Sequence, residues 1–204
     1  MSGQIFIITA PSGAGKTSLV SKLLAQTPGI RLSVSHTTRV RRDGEVDGVH
    51  YHFTDNATFD AMREQGAFLE CANVFGNQYG TSIAAVEAVT RTGDDVVLEI
   101  DCQGAAQVRA LNPEAISVFI LPPSRTVLLD RLEKRGSDSE QAIARRTQDA
   151  IAEMQRYDEA DYLIVNDDFE LAFADLDAIV RAERCRQPRQ SLRHAALIAE
   201  LLAD

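Results

Sequence analysis

The chain has 204 residues, 45% of them hydrophobic, and a formal net charge of −9. That length and apolar content suit one globular unit with a sizeable core and exclude extensive disorder. The acidic balance speaks against a grip on a nucleic-acid polymer or an anionic membrane, and no apolar run approaches membrane-spanning length.

The first element is an apolar run, Ile5-Phe6-Ile7-Ile8, leading into Ala10-Pro11-Ser12-Gly13-Ala14-Gly15-Lys16-Thr17. Leu19, Val20, Leu23 and Leu24 then share one face of a helix that Thr27-Pro28-Gly29 ends. Strand, small-residue loop, Lys-Thr and helix, in that order, make a phosphate loop. Its small residues let backbone N–H groups turn inward onto phosphate oxygens at a helix N-terminus. Lys16 is placed to reach the β- and γ-phosphates, and the Thr17 hydroxyl to ligate Mg²⁺. The usual pattern opens with Gly where this chain has Ala10. The chain is expected to bind a nucleoside triphosphate.

Arg31 to Ser35 alternates like a short strand and opens into a loop in which Arg39, Arg41 and Arg42 precede Gly44, an anion-gripping pattern. Tyr51-His52-Phe53 resumes strand character. Phe59 and Met62, followed by Gly66, mark a short helix with a glycine stop. Phe68 to Ala72 is an apolar run carrying Glu70, which is either an edge carboxylate facing water or a buried functional group. Gly76 to Ser82 reads as a loop feeding a helix with Ile83, Val86 and Val89 on one side, closed by Thr92-Gly93.

Val96 to Ile100 is a central strand ending in Asp101, Ile116 to Leu121 is another, and Tyr162 to Val165 a further one. Asn166-Asp167-Asp168 caps the helix that follows. Strands alternating with helices predict an α/β fold with a parallel sheet flanked by helices. Between the last two strands, Gly136 stops one helix and Ser137 with Glu140 forms a capping box for the next, which buries Ile143, Thr147, Ala150, Ile151 and Met154. Arg131, Arg135, Arg145 and Arg146 gather there as a mobile cover for phosphates, with solvated helix-face charge as the plain alternative. Phe173, Leu176 and Val180 continue a helical stripe to Glu183, and Leu192, Ala196, Ala199 and Leu202 suggest a terminal packing helix beyond Pro188.

Cys71, Cys102 and Cys185 stand far apart without a C-x-x-C pair, which suggests reduced thiols and a cytoplasmic setting. The four histidines lack metal-ligand spacing, and His50 and His52 read as structural. Lysine occurs only at positions 16, 22 and 134, and the remaining basic residues are arginines, suited to small phosphorylated ligands.

Together these stretches resemble guanylate kinase over nearly the whole chain. The residues that carry the resemblance are Ala10 to Thr17, Ser35-His-Thr-Thr-Arg39, Arg42 with Gly44-Glu45, Tyr51, Phe68-Leu-Glu70, Gly76-Asn-Gln-Tyr79-Gly-Thr81, Ile100-Asp101 with Gln103-Gly104, Arg135-Gly136 and Asn166-Asp-Asp168. The proteobacterial form is nearest, since Ala at position 10 is familiar there. The resemblance implies a P-loop kinase fold with a core at 1–34, 91–125 and 156–204, an inserted GMP-binding domain at 35–90 and a lid at 126–155. It implies MgATP-dependent phosphorylation of GMP, and of dGMP, to the diphosphate.

By position, ATP would meet Ala10, Pro11, Ser12, Gly13, Ala14, Gly15, Lys16, Thr17 and Ser18, with Arg131, Arg135 and Asn166. Arg39, Arg42, Tyr51 and Tyr79 would hold the GMP phosphate. Ser35 and Thr81 would meet guanine O6, and Glu70 and Asp101 would accept its N1–H and 2-amino protons. Lys16, Arg39, Arg135 and Arg146 would act on the transferring phosphoryl group, and Thr17 on the metal. Arg41 and Asp43 stand where the family often has Pro, and Cys102 where a bulky apolar residue is usual. Two alternatives stay open: a related P-loop kinase of another phosphorylated small molecule, and a non-catalytic guanylate-kinase-like binding module. The oligomeric state is left open.

Overall fold

The computed structural model describes residues 3–74, 76–133 and 140–203, the backbone alone over 140–145. The elements run β1 (Ile5–Thr9), α1 (Lys16–Gln26), β2 (Ile30–Leu32), β3 (His36–Thr37), β4 (His52–Phe53), α2 (Asn56–Glu64), β5 (Phe68–Val74), β6 (Asn77–Ser82) and α3 (Ile83–Thr90). They continue through β7 (Asp95–Glu99), α4 (Cys102–Leu111), β8 (Ile116–Leu121), α5 (Arg125–Glu133), α6 (Glu140–Met154), β9 (Tyr162–Val165), α7 (Phe169–Arg184), α8 (Gln187–Arg193) and α9 (Ala195–Leu201).

A five-stranded sheet, order β2-β7-β1-β8-β9, is parallel at every pairing. Because alternate side chains of a strand leave by opposite faces, β1 must be apolar on both. Phe6 and Ile8 join Leu19 and Leu23 of α1 and Leu176 and Val180 of α7 on one face. Ile5 and Ile7 meet Val96, Leu98, Val86 of α3 and Val108 of α4 on the other. Each such buried side chain contributes roughly 1.5–3 kcal/mol, which fixes the register of the sheet and the position of everything at its C-terminal edge. Leu128, Leu132 and Ala150 form a separate small cluster between α5 and α6. Among the described residues no helix is long and apolar enough to cross a membrane.

A second sheet, order β4-β3-β6-β5, lies within residues 36–82 and mixes parallel and antiparallel pairs. Here the sequence reading needs correction. Gly76 to Ser82 is not a loop: Asn77–Ser82 is strand β6, paired antiparallel to β5 along its length. Asn, Gln and Gly are poor strand formers, but pairing on both sides overrides propensity. Gly80 is required where it stands, since a Cβ there would sit 2.9 Å from Phe68 and 3.0 Å from Phe59. The stretch Arg31 to Ser35 is strand only at its start: β2 ends at Leu32, and β3 of the other sheet begins beyond it at His36. The outer edge of β5 is met by one side chain of α4. Gln107 accepts from Cys71 N–H at 3.1 Å and donates to the Cys71 carbonyl at 2.8 Å.

At the C-terminus, the expected packing helix is two short helices, and Leu192, Leu201 and Leu202 are exposed. The turn around His194, whose φ is −111° and ψ 22°, breaks the stripe before it can lie on the core. Asp168 caps α7 as expected, accepting from Leu171 N–H at 2.9 Å. Gly136, Ser137 and the side chains of Glu140 and Ile143 lie outside the described residues, so the proposed capping box is not described.

Candidate functional site

β1 delivers the chain into a turn closed by Ala14 N–H on the Pro11 carbonyl at 3.1 Å. Gly13 and Gly15 both hold φ at +92°, a left-handed conformation that side chains resist. Gly15 is also the N-cap of α1 and offers no side chain to it, leaving the helix's first N–H groups for a ligand. The loop is braced from outside. Buried Asn166, just past β9, donates to the Ala14 carbonyl at 2.7 Å, and a Cβ at Gly15 would lie 2.3 Å from its Nδ2. A Cβ at Gly13 would lie 3.1 Å from Leu128 of α5.

Lys16 Nζ donates to the Ile100 carbonyl at 3.0 Å. Thr17 Oγ1 donates to Glu99, the last residue of β7. Arginines of the α5–α6 segment reach the loop: Arg146 donates to Ser12 Oγ at 3.1 Å and Arg131 to the Ala14 carbonyl at 3.5 Å. Glu153 of α6 faces the same place. Burial pushes its carboxyl up, and Lys16 and the Ser12 N–H draw it back down. Arg135 and the Arg145 side chain lie outside the described residues.

The second sheet contributes an arginine cluster and a carboxylate. Arg39 is held in a fork by Glu45, at 2.7 and 3.1 Å, and its guanidinium lies 5.5 Å from the Tyr51 ring and 5.8 Å from Phe53. The same carboxylate accepts from Arg42 N–H at 2.8 Å, while the Arg42 side chain is exposed. Tyr51 and Tyr79 meet edge to face at 5.8 Å. Burial, then the Glu99 charge, raises the Tyr51 hydroxyl above its ordinary value.

Glu70 is 3% exposed, so the reading of it as an edge carboxylate facing water is discarded. Burial raises its carboxyl to about 6, Thr81 hydrogen bonding lowers it, and the Asp101 charge raises it further. The Thr81 and Ser35 hydroxyls lie 3.2 Å apart. Asp101 caps α4, accepting from Gly104 N–H at 2.8 Å. Both carboxylates press on Gly104, where a Cβ would meet Glu70 Oε2 at 2.4 Å and Asp101 Oδ1 at 3.4 Å. Two carboxylates and two hydroxyls thus converge beside a helix N-terminus.

The sequence reading passed over Glu99 and Glu153, and named Glu45 and Gly104 as carrying the resemblance without giving either a role. Glu99 had a visible signal, an acid inside an otherwise apolar strand. Glu153 had none, because one acid on a helical segment is ordinary.

A parallel sheet with a bare glycine cradle at its C-terminal edge, and a second lobe of arginines and acceptors alongside, defines a phosphate-loop kinase. The guanylate kinase family model matches residues 2–183. The chain is 56% identical to guanylate kinase of Escherichia coli K12, over 99% of both chains. It is 54% identical to that of Chromohalobacter salexigens, over 98% of this chain and 94% of the other. The crystal structure of guanylate kinase from Anaplasma phagocytophilum superposes with a TM-score of 0.76 at 33% identity, covering 92% of this chain and 89% of that one. The chain belongs to the guanylate kinase family.

Proposed function

We propose that this protein transfers the γ-phosphoryl group of ATP to GMP, and to dGMP, giving ADP and the guanosine diphosphate. The observation that carries this reading is the convergence of buried Glu70 and Thr81 with half-buried Asp101 and Ser35, together with a phosphate loop whose helix has no side-chain cap. Guanine offers two donors, N1–H and the 2-amino group, and one acceptor, O6. Two carboxylates and two hydroxyls match that set. In this reading residues 35–90 bind GMP, 126–155 form a lid, and 1–34, 91–125 and 156–204 form the core.

A GMP phosphate oxygen is already anionic at neutral pH, so it attacks the γ-phosphorus without a general base. The new O–P bond forms as the bond to the β-phosphate bridging oxygen breaks, and ADP leaves with that electron pair. Catalysis is then alignment of two polyanions and cancellation of their repulsion. Lys16 and the α1 N-terminus act on the ATP side. Arg39, Arg42, Tyr51 and Tyr79 hold the acceptor phosphate, and Arg131, Arg135 and Arg146 close from the lid. Loop residues Ala10, Pro11, Ser12, Gly13, Ala14, Gly15, Thr17 and Ser18 wrap the triphosphate, and Asn166 holds the loop in shape.

The Thr17 hydroxyl and Glu99 carboxylate, bonded to each other beside the cradle, form an oxygen-only donor set that suits Mg²⁺. Bound there with ATP, the ion would neutralise charge on the β- and γ-phosphate oxygens. Cys71, Cys102 and Cys185 are all unpaired, in keeping with work in a reducing cytoplasm. A coupled assay with ATP against GMP, dGMP, AMP, UMP and dTMP tests the proposal. Turnover of AMP or a pyrimidine nucleotide at a rate matching GMP would overturn it.

A further inference from the structure

Arginines also collect at the other end of the molecule. In the parallel sheet the phosphate loop follows the last residue of β1, whereas β7 begins at Asp95 and β2 at Ile30 on the opposite edge. A cavity of about 480 Å³ opens there, lined by Arg91, Arg184, Arg189 and Arg193 together with Asp94 and Asp95. In a chain of net charge −9 this is an uncommon concentration of positive charge.

Part of that charge is spent on the protein itself. Helices α1, α3 and α7 all end at this edge and present carbonyl oxygens, which favour cations. Arg184 donates to the Gly29 carbonyl at 2.8 Å and to Asp95 at 2.7 Å. Asp95 also accepts from Arg189 at 2.9 Å and from Gln4 N–H at 2.7 Å, so its oxygens are fully engaged. Asp94 is paired with Arg31 at 2.6 Å, and Arg91 with Glu87.

What remains is unspent. Among the described residues Arg189 Nη1 is buried without a hydrogen-bond partner, although a buried unsatisfied donor on a charged group is costly. Arg193 is exposed and makes no hydrogen bond or ion pair among the described residues. Both belong to α8, whose helix is held to the core through the Arg189–Asp95 pair.

We infer that this cavity is a second anion site, taking a ligand with two or more linked phosphate groups. Arg189 Nη1 supplies the buried donor, and Arg193 and Arg91 close over the outer charge. The volume exceeds what one phosphate fills, and planar arginine forks match phosphate oxygens in pairs. No aromatic side chain lines the cavity and Pro28 is its one apolar side chain, so no ring or apolar slot is built there to hold a nucleobase. Recognition is therefore of the phosphates and not of a nucleoside.

The test is amide and arginine-Nε NMR of the full chain titrated with inorganic tripolyphosphate, with residues 10–18 and the cavity followed as separate sites. Shifts at Gly93, Asp94 and the Arg189 and Arg193 Nε groups, weakening with added salt, are expected. Arg193→Glu, at an exposed position without partners, should weaken binding there at least ten-fold and leave the response of residues 10–18 unchanged. Shifts confined to residues 10–18, or a cavity affinity within two-fold of the parent in Arg193→Glu and in Arg91→Gln, would overturn the inference. Cavity binding of a nucleoside triphosphate more than ten-fold tighter than tripolyphosphate would overturn the base-free ligand class.

Discussion

Lys16 Nζ is seated on the Ile100 carbonyl at 3.0 Å, which ties the phosphate loop to the turn between Glu99, the last residue of β7, and Asp101, the cap of α4. In the proposed reaction that ammonium moves little to meet a phosphate oxygen, and its charge is in place before the substrate arrives. Lys16→Ala should therefore fold with a stability loss of only about 0.5–1.5 kcal/mol, one hydrogen bond's worth. Its kcat should fall by roughly 10²–10⁴. Circular dichroism melts and steady-state rates measure both, and near-parental kcat would remove Lys16 from the transition state.

Glu45 holds Arg39 in a two-point fork with both side chains mostly buried, 13% and 17% exposed. Glu45→Gln keeps the size and loses the charge, freeing Arg39 to swing. The KM for GMP should rise by roughly ten-fold or more, the scale of a charge-assisted hydrogen bond, with kcat changed less and the KM for ATP unmoved. Equal effects on both substrates would make Glu45 a general structural residue instead.

The Glu70 carboxyl, raised to about 6 by burial, gives the site a pH signature. Its folded value lies above the unfolded one, so the ligand-free protein holds the proton more tightly than the unfolded chain. That protonation contributes stability below the unfolded pKa and loses it as pH rises through about 6, by about 2 kcal/mol at most. Guanine's donors need the ionised form, so kcat/KM for GMP should fall as pH drops below about 6. In Glu70→Gln that limb should vanish, GMP use should lose about 1.5–3 kcal/mol of transition-state binding, and discrimination against AMP should shrink. Rate profiles for both nucleotides on both proteins decide it, and an unchanged GMP/AMP ratio would exclude contact between Glu70 and the base.

Gly104 separates stability from activity. Alanine at a helical position is favoured over glycine by up to about 1 kcal/mol, yet its Cβ would fall 2.4 Å from Glu70 Oε2. Gly104→Ala should melt within about 1 kcal/mol of the parent while losing ten-fold or more in kcat/KM for GMP, because the carboxylate must move. If the variant kept full GMP activity, Glu70 would not need its observed position.

Asn166 braces the phosphate loop through one buried bond to the Ala14 carbonyl. Asn166→Ala should cost about 1–3 kcal/mol in a denaturant melt, the penalty of a buried acceptor left without a partner. It should also raise the KM for ATP more than that for GMP. A variant as stable as the parent would deny the brace.

The central sheet was legible in the sequence because strands buried on both faces are continuous apolar runs. Ile5–Ile8 and Ile116–Leu121 announce themselves, and the phosphate loop follows from residue spacing alone. The second sheet was harder to see. β6 is built from Asn77, Gln78, Tyr79, Gly80, Thr81 and Ser82, and its strand character comes from partners on both sides instead of its own composition. The C-terminal stripe failed for the opposite reason, having the right periodicity and no core to lie against. The candidate site residues were singled out in two ways, Lys16 by the phosphate-loop spacing and Glu70 and Asp101 by family resemblance. Glu45 and Gly104 were visible as residues of the resemblance but not in their positioning roles, because the fork on Arg39 and the fit of Gly104 against Glu70 follow from loop geometry and from packing between segments.

The two bonds from Gln107 to Cys71 have a consequence for the life of the protein outside its reaction. β5 is the outermost strand of its sheet, and its free edge is a row of peptide groups able to recruit a strand from another molecule. A primary amide has the same donor and acceptor as a peptide unit, so Gln107 occupies the middle of that edge as one rung of a strand that is not there. Self-association through β5 then requires α4 to let go first. At the middle of a mostly apolar edge segment, Phe68 to Val74, the rung is a neutral amide, which engages the strand without adding a cation next to the carboxylate of Glu70.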